Sequence, residues 1–404
     1  MQRSRATGKM VCVSAALVAC HAGVEGGGSR SGAGTAPSFR VDGVAPWRGD
    51  ATAAYSIIHD DVCDHGALGV FSAADPELVA RGLHAGFGVI AGACDGPGNG
   101  TWAQVRTLVA HGHDVFSHSW DHPCMTNDPA LVASCDPAAP RSVDFATQIS
   151  RSRDALRART GLAQSFFIFP YDVCDPAALA YLRESGFLGA RCGRPGTNPA
   201  ELADPFRIDF DVFGPSYSRY FARDACATTA AGGAPVAFTT TPAEYTDACR
   251  LHVLDHYVDE TIRARGWGVR ELHGLAPDDP GGWETVPLAD YRAHLDHLVA
   301  RVKEGALWVD GPTAILRYAL ARDPRNCAPP TILSPRTLHF PAQPARCPAG
   351  GTPVTYRIST TDGSDPARLQ VRQAGRAWPA RRVAAGRFVV DADPAGGDAS
   401  LTAR

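Results

Sequence analysis

Residues 55–66 read YSIIHDDVCDHG. A short apolar run stops on two adjacent aspartates, Asp60 and Asp61, with a cysteine and a histidine close behind. Two carboxylates side by side resist ionising together, so solvent, a cation or a shared proton must stabilise them. The surrounding chain decides which.

Outward from this stretch, short apolar segments recur. Strands are expected at Ala54–Ile58, Phe87–Ala91, Asp114–Ser117, Ser165–Phe169, Phe187–Ala190, Phe206–Phe210, Gly268–Leu272 and Ala306–Val309. Helical stretches lie between most of them, such as Trp102–Ala110, Asp144–Ala158, Pro242–Arg265 and Leu288–Glu304. Strand–helix alternation predicts a parallel sheet. Seven or eight strands favour closure into a distorted (β/α)7–8 barrel, whose chemistry sits at the C-terminal strand ends. The barrel is expected over residues 51–322, followed by a Pro-rich linker, 323–336. Beyond it, VTYRIST, RLQVR and RFVVDAD alternate with period two, which predicts a small all-β, sandwich-like domain over 337–404.

The start of the chain reads as a targeting segment. Arg3, Arg5 and Lys9 precede an apolar stretch, Met10–Ala19, too short to span a bilayer. It ends in Leu17-Val18-Ala19-Cys20, which resembles a bacterial lipoprotein box. Residues 1–20 are then a signal peptide and Cys20 carries a lipid anchor; the alternative is an ordinary secretory signal with a chance cysteine. Either way the protein is exported, as a periplasmic or cell-surface lipoprotein in the first case. Residues 21–50, rich in Gly, Ser and Ala, read as a flexible tether. Of twelve cysteines, the ten beyond Cys20 form an even set suited to an oxidising compartment. Their spacing suggests the pairs 63–94, 124–135, 174–192, 226–249 and 327–347. No C-x₂-C spacing supports a cysteine zinc site. A net charge of −3 over 404 residues gives no argument for nucleic acid.

Candidate chemistry gathers at three strand ends. Asp60 and Asp61 end the first strand. His118 and His122, in FSHSWDHP, follow the third strand one helical turn apart, and His273, in VRELHG, tips a later one. One carboxylate with two imidazoles suits Zn²⁺ with open positions for water and substrate. A second pair at the same spacing, His252 and His256, sits mid-helix among acidic residues and reads as a solvated outer face. His294 and His297 are read likewise. His59 is expected to pack beneath the site.

This ordered set resembles the polysaccharide deacetylase family, carbohydrate esterases with a NodB-homology domain, over about residues 51–322. The first motif, T-F-D-D, matches IHDD, and implies Asp60 as catalytic base and Asp61 as metal ligand. H-[ST]-x-x-H matches His118-Ser119-Trp120-Asp121-His122 fully, and implies two metal-ligating histidines. R-x-P-[YF] keeps Pro170 and Tyr171 but has Ile168 in place of Arg. L-x-H keeps His273, the implied catalytic acid, with Glu271 in place of Leu. A fourth motif, an Asp shortly before a Trp that tunes the acid histidine, has no counterpart; Asp209 and Asp211 are the carboxylates considered in its place.

The resemblance implies a NodB-type barrel with Zn²⁺, or another divalent metal such as Co²⁺, Ni²⁺ or Mn²⁺. It implies hydrolysis of N-acetyl groups on an extracytoplasmic glycan, with the backbone N–H of Tyr171 at the oxyanion; the protein is expected to be a monomer. Tyr171, Pro170 and Trp120 are the expected substrate-binding residues; for Trp120, packing is the competing reading. A same-fold hydrolase of another C–N or ester bond, and a non-catalytic glycan-binding lipoprotein, are the alternatives.

Overall fold

The computed structural model describes residues 37–404 apart from 65–66, 215–246, 279–281, 284 and 349. The expected signal segment, Cys20, the first part of the expected tether and Cys226 lie outside the described residues. Seven parallel strands close a ring: β2 (Ala53–Val62), β3 (Gly86–Val89), β4 (Asp114–Ser117), β5 (Phe166–Ile168), β6 (Gly189–Pro195), β7 (Ile208–Val212) and β8 (Trp267–Leu272). The pairing of β2 with β8 closes it, from Ala54 opposite Trp267 to His59 opposite Leu272. Leu307–Val309 adds an eighth parallel strand on the lower half of β2. All eight expected strands are present. β2 reads AAYSIIHDDV and is buried on nearly every residue, as a parallel strand covered on both faces must be.

The helices are α1 (Asp75–Arg81), α2 (Trp102–Ala110), α3 (Pro129–Val132), α4 (Ser152–Thr160), α5 (Pro176–Glu184), α6 (Asp247–Ala264), α7 (Leu288–Lys303) and α8 (Pro312–Arg322). Local chemistry sets their ends. Thr101 and Gln104 form a reciprocal capping box at α2, and Pro starts α5 and α8 with no N–H to strand. Among the described residues, no helix is long and apolar enough to cross a membrane.

The end of the chain forms two antiparallel sheets, one of five strands and one of four. The four-stranded sheet corrects the tether expectation. Its edge strand is β1 (Phe39–Val44), paired antiparallel with Val354–Thr360, Phe39 opposite Thr360. The reason is local: Phe39 and Val41 alternate with Arg40 and Asp42, the period of a half-buried strand. Trp47 follows, fully buried, and donates from Nε1 to the Arg265 carbonyl at 3.1 Å. Tyr318 on α8 donates to the Ala45 carbonyl at 3.0 Å. Arg265 precedes β8 and Trp47 precedes β2, so the sandwich packs at the N-terminal end of the barrel, away from the mouth. One hydrophobic cluster holds Trp47, Ile58 and Tyr318 together with Tyr356, Phe388 and Leu401 of the sandwich.

Disulfides 63–94, 124–135, 174–192 and 327–347 are formed. The fifth expected pair involves Cys226, outside the described residues.

At the head of β4, Asp114 accepts the Thr313 N–H at 2.7 Å. Burial, opposed by that hydrogen bond, raises its carboxyl to about 6. The folded form therefore holds the proton up to a higher pH than the unfolded chain, and stability falls as pH rises through that window. Asp114→Asn keeps an acceptor for Thr313 without the charge. Denaturant melts should show it about 1–2 kcal/mol more stable than the parent at pH 7, the gain vanishing near pH 4.

Candidate metal and catalytic centre

The end of β2 sorts the two aspartates. Asp60 is 1% exposed and its Oδ2 accepts from Arg191 Nη2 at 2.6 Å. Asp61 faces other partners, on a left-handed backbone of φ 57°. Its Oδ1 faces His118 Nε2 at 3.3 Å and His122 Nε2 at 3.2 Å, and its Oδ2 lies 3.6 Å from His273 Nε2. Adjacent carboxylates thus point into different surroundings.

His118 and His122 converge through a bend, which corrects the expected helical turn. Ser119 and His122 carry φ of 70° and 55°, and the His122 N–H donates to Ser119 Oγ at 3.0 Å. Gln148 Oε1 accepts the Trp120 N–H at 3.2 Å, fixing the bend from outside. The imidazole rings lie 4.7 Å apart. Left-handed backbone also occurs at Tyr171 and Asp172, φ 57° and 55°. Strain of this kind persists only where the surroundings over-determine it, and it clusters at functional sites. Disulfides supply part of the constraint: Cys63, Cys124, Cys174 and Cys192 each lie within two residues of Asp61, His122, Asp172 or Arg191.

Asp61, His118 and His122 fit a divalent cation. Donor atoms bound at about 2.0–2.1 Å in a tetrahedral set stand roughly 3.3 Å apart, which the Asp61–His118 and Asp61–His122 distances reproduce. His118 Nδ1 donates to the Ile168 carbonyl at 3.1 Å, which turns the Nε2 lone pair toward Asp61; such an outer partner fixes the tautomer of a ligand. Burial pushes the His122 imidazole down to about 4, so it is neutral, as a ligand must be. Burial would raise the Asp61 carboxyl, but the His118 hydrogen bond, foremost among the contacts with the surrounding imidazoles, outweighs it and holds Asp61 well below the usual carboxylate range. Among the described residues, one other group could hold a cation: Asp60, Glu271 and His273. There the Arg191 guanidinium already supplies positive charge, with Nη2 2.6 Å from Asp60 and 3.0 Å from Glu271.

The other expected site residues are distributed unevenly. The Tyr171 ring packs at a tilt against His122, centroids 4.6 Å apart, and borders the mouth. Pro170 is buried and shapes the turn beneath it. Trp120 is half-buried, with the Arg151 guanidinium 3.8 Å over its ring and Gly92 packed against it; those contacts favour the packing reading. His59 packs beneath the site, bonded to the His273 carbonyl at 2.8 Å and Tyr291 at 3.1 Å. Asp211 is committed to Arg270 at 2.7 Å, and Asp209 to the Arg194 N–H at 2.9 Å. Neither is among the carboxylates grouped with His273, which are Asp60 and Glu271. His294 is fully buried and bonded to Asp255 at 2.7 Å, tying α7 to α6, which corrects its reading as a solvated residue.

Arg191 is the site residue that motif reasoning missed. It lies on β6, in GARCGRP, and is 1% exposed. An arginine inside an otherwise buried strand was the available signal.

The polysaccharide deacetylase family model matches residues 62–190. Among solved structures, a Mycobacterium smegmatis protein assigned to the polysaccharide deacetylases is 15% identical, over 69% of this chain and 94% of its own, with a TM-score of 0.45. A family 4 acetyl xylan esterase from Clostridium thermocellum, in complex with a cobalt ion, is 14% identical over 67% and 95%, TM-score 0.39. IcaB from Ammonifex degensii is 28% identical over a shorter stretch, 33% of this chain and 56% of its own, TM-score 0.27. At these scores the structural likenesses carry no argument about function. No curated protein matches. Residues 62–190 thus match the polysaccharide deacetylase family model, and they lie within the closed parallel barrel.

Proposed function

We propose that the protein is a metal-dependent hydrolase that removes N-acetyl groups from an extracytoplasmic polysaccharide. The observation that carries this reading is the separation of roles at β2: Asp61 faces His118 and His122, while Asp60 faces Arg191. It answers what stabilises the adjacent carboxylates: a cation for one, a guanidinium for the other.

A divalent cation such as Zn²⁺, held by Asp61, His118 and His122, supplies Lewis acidity toward a carbonyl oxygen and water. Asp60 takes the proton of the attacking water as its oxygen bonds to the acetyl carbon. The Tyr171 N–H stabilises the oxyanion. His273 gives a proton to the nitrogen as the C–N bond breaks, releasing acetate and a free amine. Four formed disulfides accord with export, and we assign the lipid anchor to Cys20.

The test is acetate release from a panel of N-acetylated glycans and acetyl esters, with protein stripped of metal and then reloaded. Zinc- or cobalt-dependent release from a glycan is expected. Release from esters alone would move the activity to ester hydrolysis, and no release from any member would refute the reading.

A further inference from the structure

Arg191 stands directly across the β5–β6 ladder from Ile168. The parallel register pairs Phe166 with Gly189, Phe167 with Ala190 and Ile168 with Arg191. Residues paired on a ladder point to the same face, so Arg191 enters the mouth beside Ile168, one strand over. Its Nη2 reaches three carboxylates: Asp60 at 2.6 Å, Asp172 at 2.7 Å and Glu271 at 3.0 Å. Asp60 and Glu271 come from different strands, and Asp172 from the loop after β5. Cys174–Cys192 fastens that loop to the residue after Arg191. Glu271 lies on β8 and His273 just past its end. An oxygen of Glu271, one of Asp60 and a ring nitrogen of His273 all lie within 4.8 Å of one another.

An internal counter-ion needs one carboxylate. Three converging on one guanidinium, beside the groups assigned to take and give protons, form a connected frame. We propose that Arg191 and Glu271 are positioning residues of this site. Arg191 holds Asp60 in the orientation for taking a proton from water. Glu271, held by the same guanidinium, orients the His273 imidazole toward the leaving nitrogen. The inference rests on the deacetylase reading above.

The test uses the full chain with Arg191→Gln, Arg191→Lys, Glu271→Gln and the exchange Arg191→Ile with Ile168→Arg. The readouts are kcat and KM for acetate release, cobalt(II) titration and thermal melting. Arg191→Gln should lower kcat about 100-fold and Glu271→Gln about 10-fold, since small misplacements of reacting groups cost that much. KM and cobalt affinity should change less than about threefold, because substrate and metal contacts remain. Arg191→Lys should restore little, since a point charge does not replace a planar fork. The exchange should regain at least about tenfold over Arg191→Gln, by returning a guanidinium to the same rung. Arg191→Gln with kcat near that of the parent, or a loss of kcat matched by losses of cobalt affinity and melting temperature, would overturn the inference. A parent protein that releases no acyl group overturns the functional reading itself, and shows it before any variant is made.

Discussion

Asp60→Asn is expected to lower kcat for acetate release by about 10³-fold while cobalt(II) affinity stays within about threefold of the parent. Asparagine is nearly isosteric, and its Oδ1 can accept from Arg191 Nη2 as the aspartate does at 2.6 Å. Neither the Asp61–His118 nor the Asp61–His122 approach involves it. What disappears is the ability to take a proton, which general-base catalysis values at about 10²–10⁴-fold. Asp61→Asn should behave in the opposite order, losing metal first and activity as a consequence. It replaces the charged donor that both imidazoles face, and an amide oxygen is a poorer ligand for a cation. Measuring both constants on both variants separates the roles of neighbouring residues. If Asp60→Asn loses cobalt and Asp61→Asn keeps it, the assignment is reversed.

The second large effect lies at the other end of the barrel. A chain ending at Asp323, without the sandwich, is expected to be insoluble or to melt without a cooperative transition. The cut removes Val354–Thr360, the partner of β1, and leaves that strand's hydrogen-bonding groups unpaired. It also uncovers Trp47 and Tyr318, which share one apolar cluster with Tyr356, Phe388 and Leu401. Trp47→Ala tests the same junction more gently. Truncating a fully buried aromatic typically costs about 3–5 kcal/mol, which lowers the melting temperature by roughly 4–6 °C in a unit that runs from Pro37 to Arg404. Calorimetry on both variants decides the matter. A truncated chain that melts cooperatively, at the parent's temperature, would make the sandwich an independent module.

Much of this architecture was legible because it depends on local pattern. The eight barrel strands are short apolar runs, and the Asp-Asp and His-x₃-His motifs lie where those runs stop. Arg191 was not legible, although GARCGRP was in view. The buried run around it was the available signal, but GARCGRP carries two arginines, Arg191 and Arg194, and nothing local says which carboxylate either would meet. Only barrel closure brings it to Asp60, 131 residues away. Glu271 was visible as a departure from Leu, but its meaning depends on Arg191 and so was equally hidden. β1 was missed for a related reason. Four alternating residues, Phe39 to Asp42, after a Gly- and Ser-rich stretch resemble tether until a partner is known, and that partner begins beyond residue 350. His294 shows the reverse error: helical spacing and acidic neighbours suggested a wet face, whereas α6 covers it.

The placement of β1 has a mechanical consequence. The bonds between antiparallel strands lie perpendicular to the strand direction. A pull applied along β1, from its Phe39 end against the barrel beyond Val44, therefore crosses those bonds at right angles. The rungs from Phe39–Thr360 to Val44–Tyr356 then carry the load together, in shear, instead of opening one by one. If the chain is held by its beginning while a polymer drags on the mouth, tension passes through this joint before it reaches the barrel.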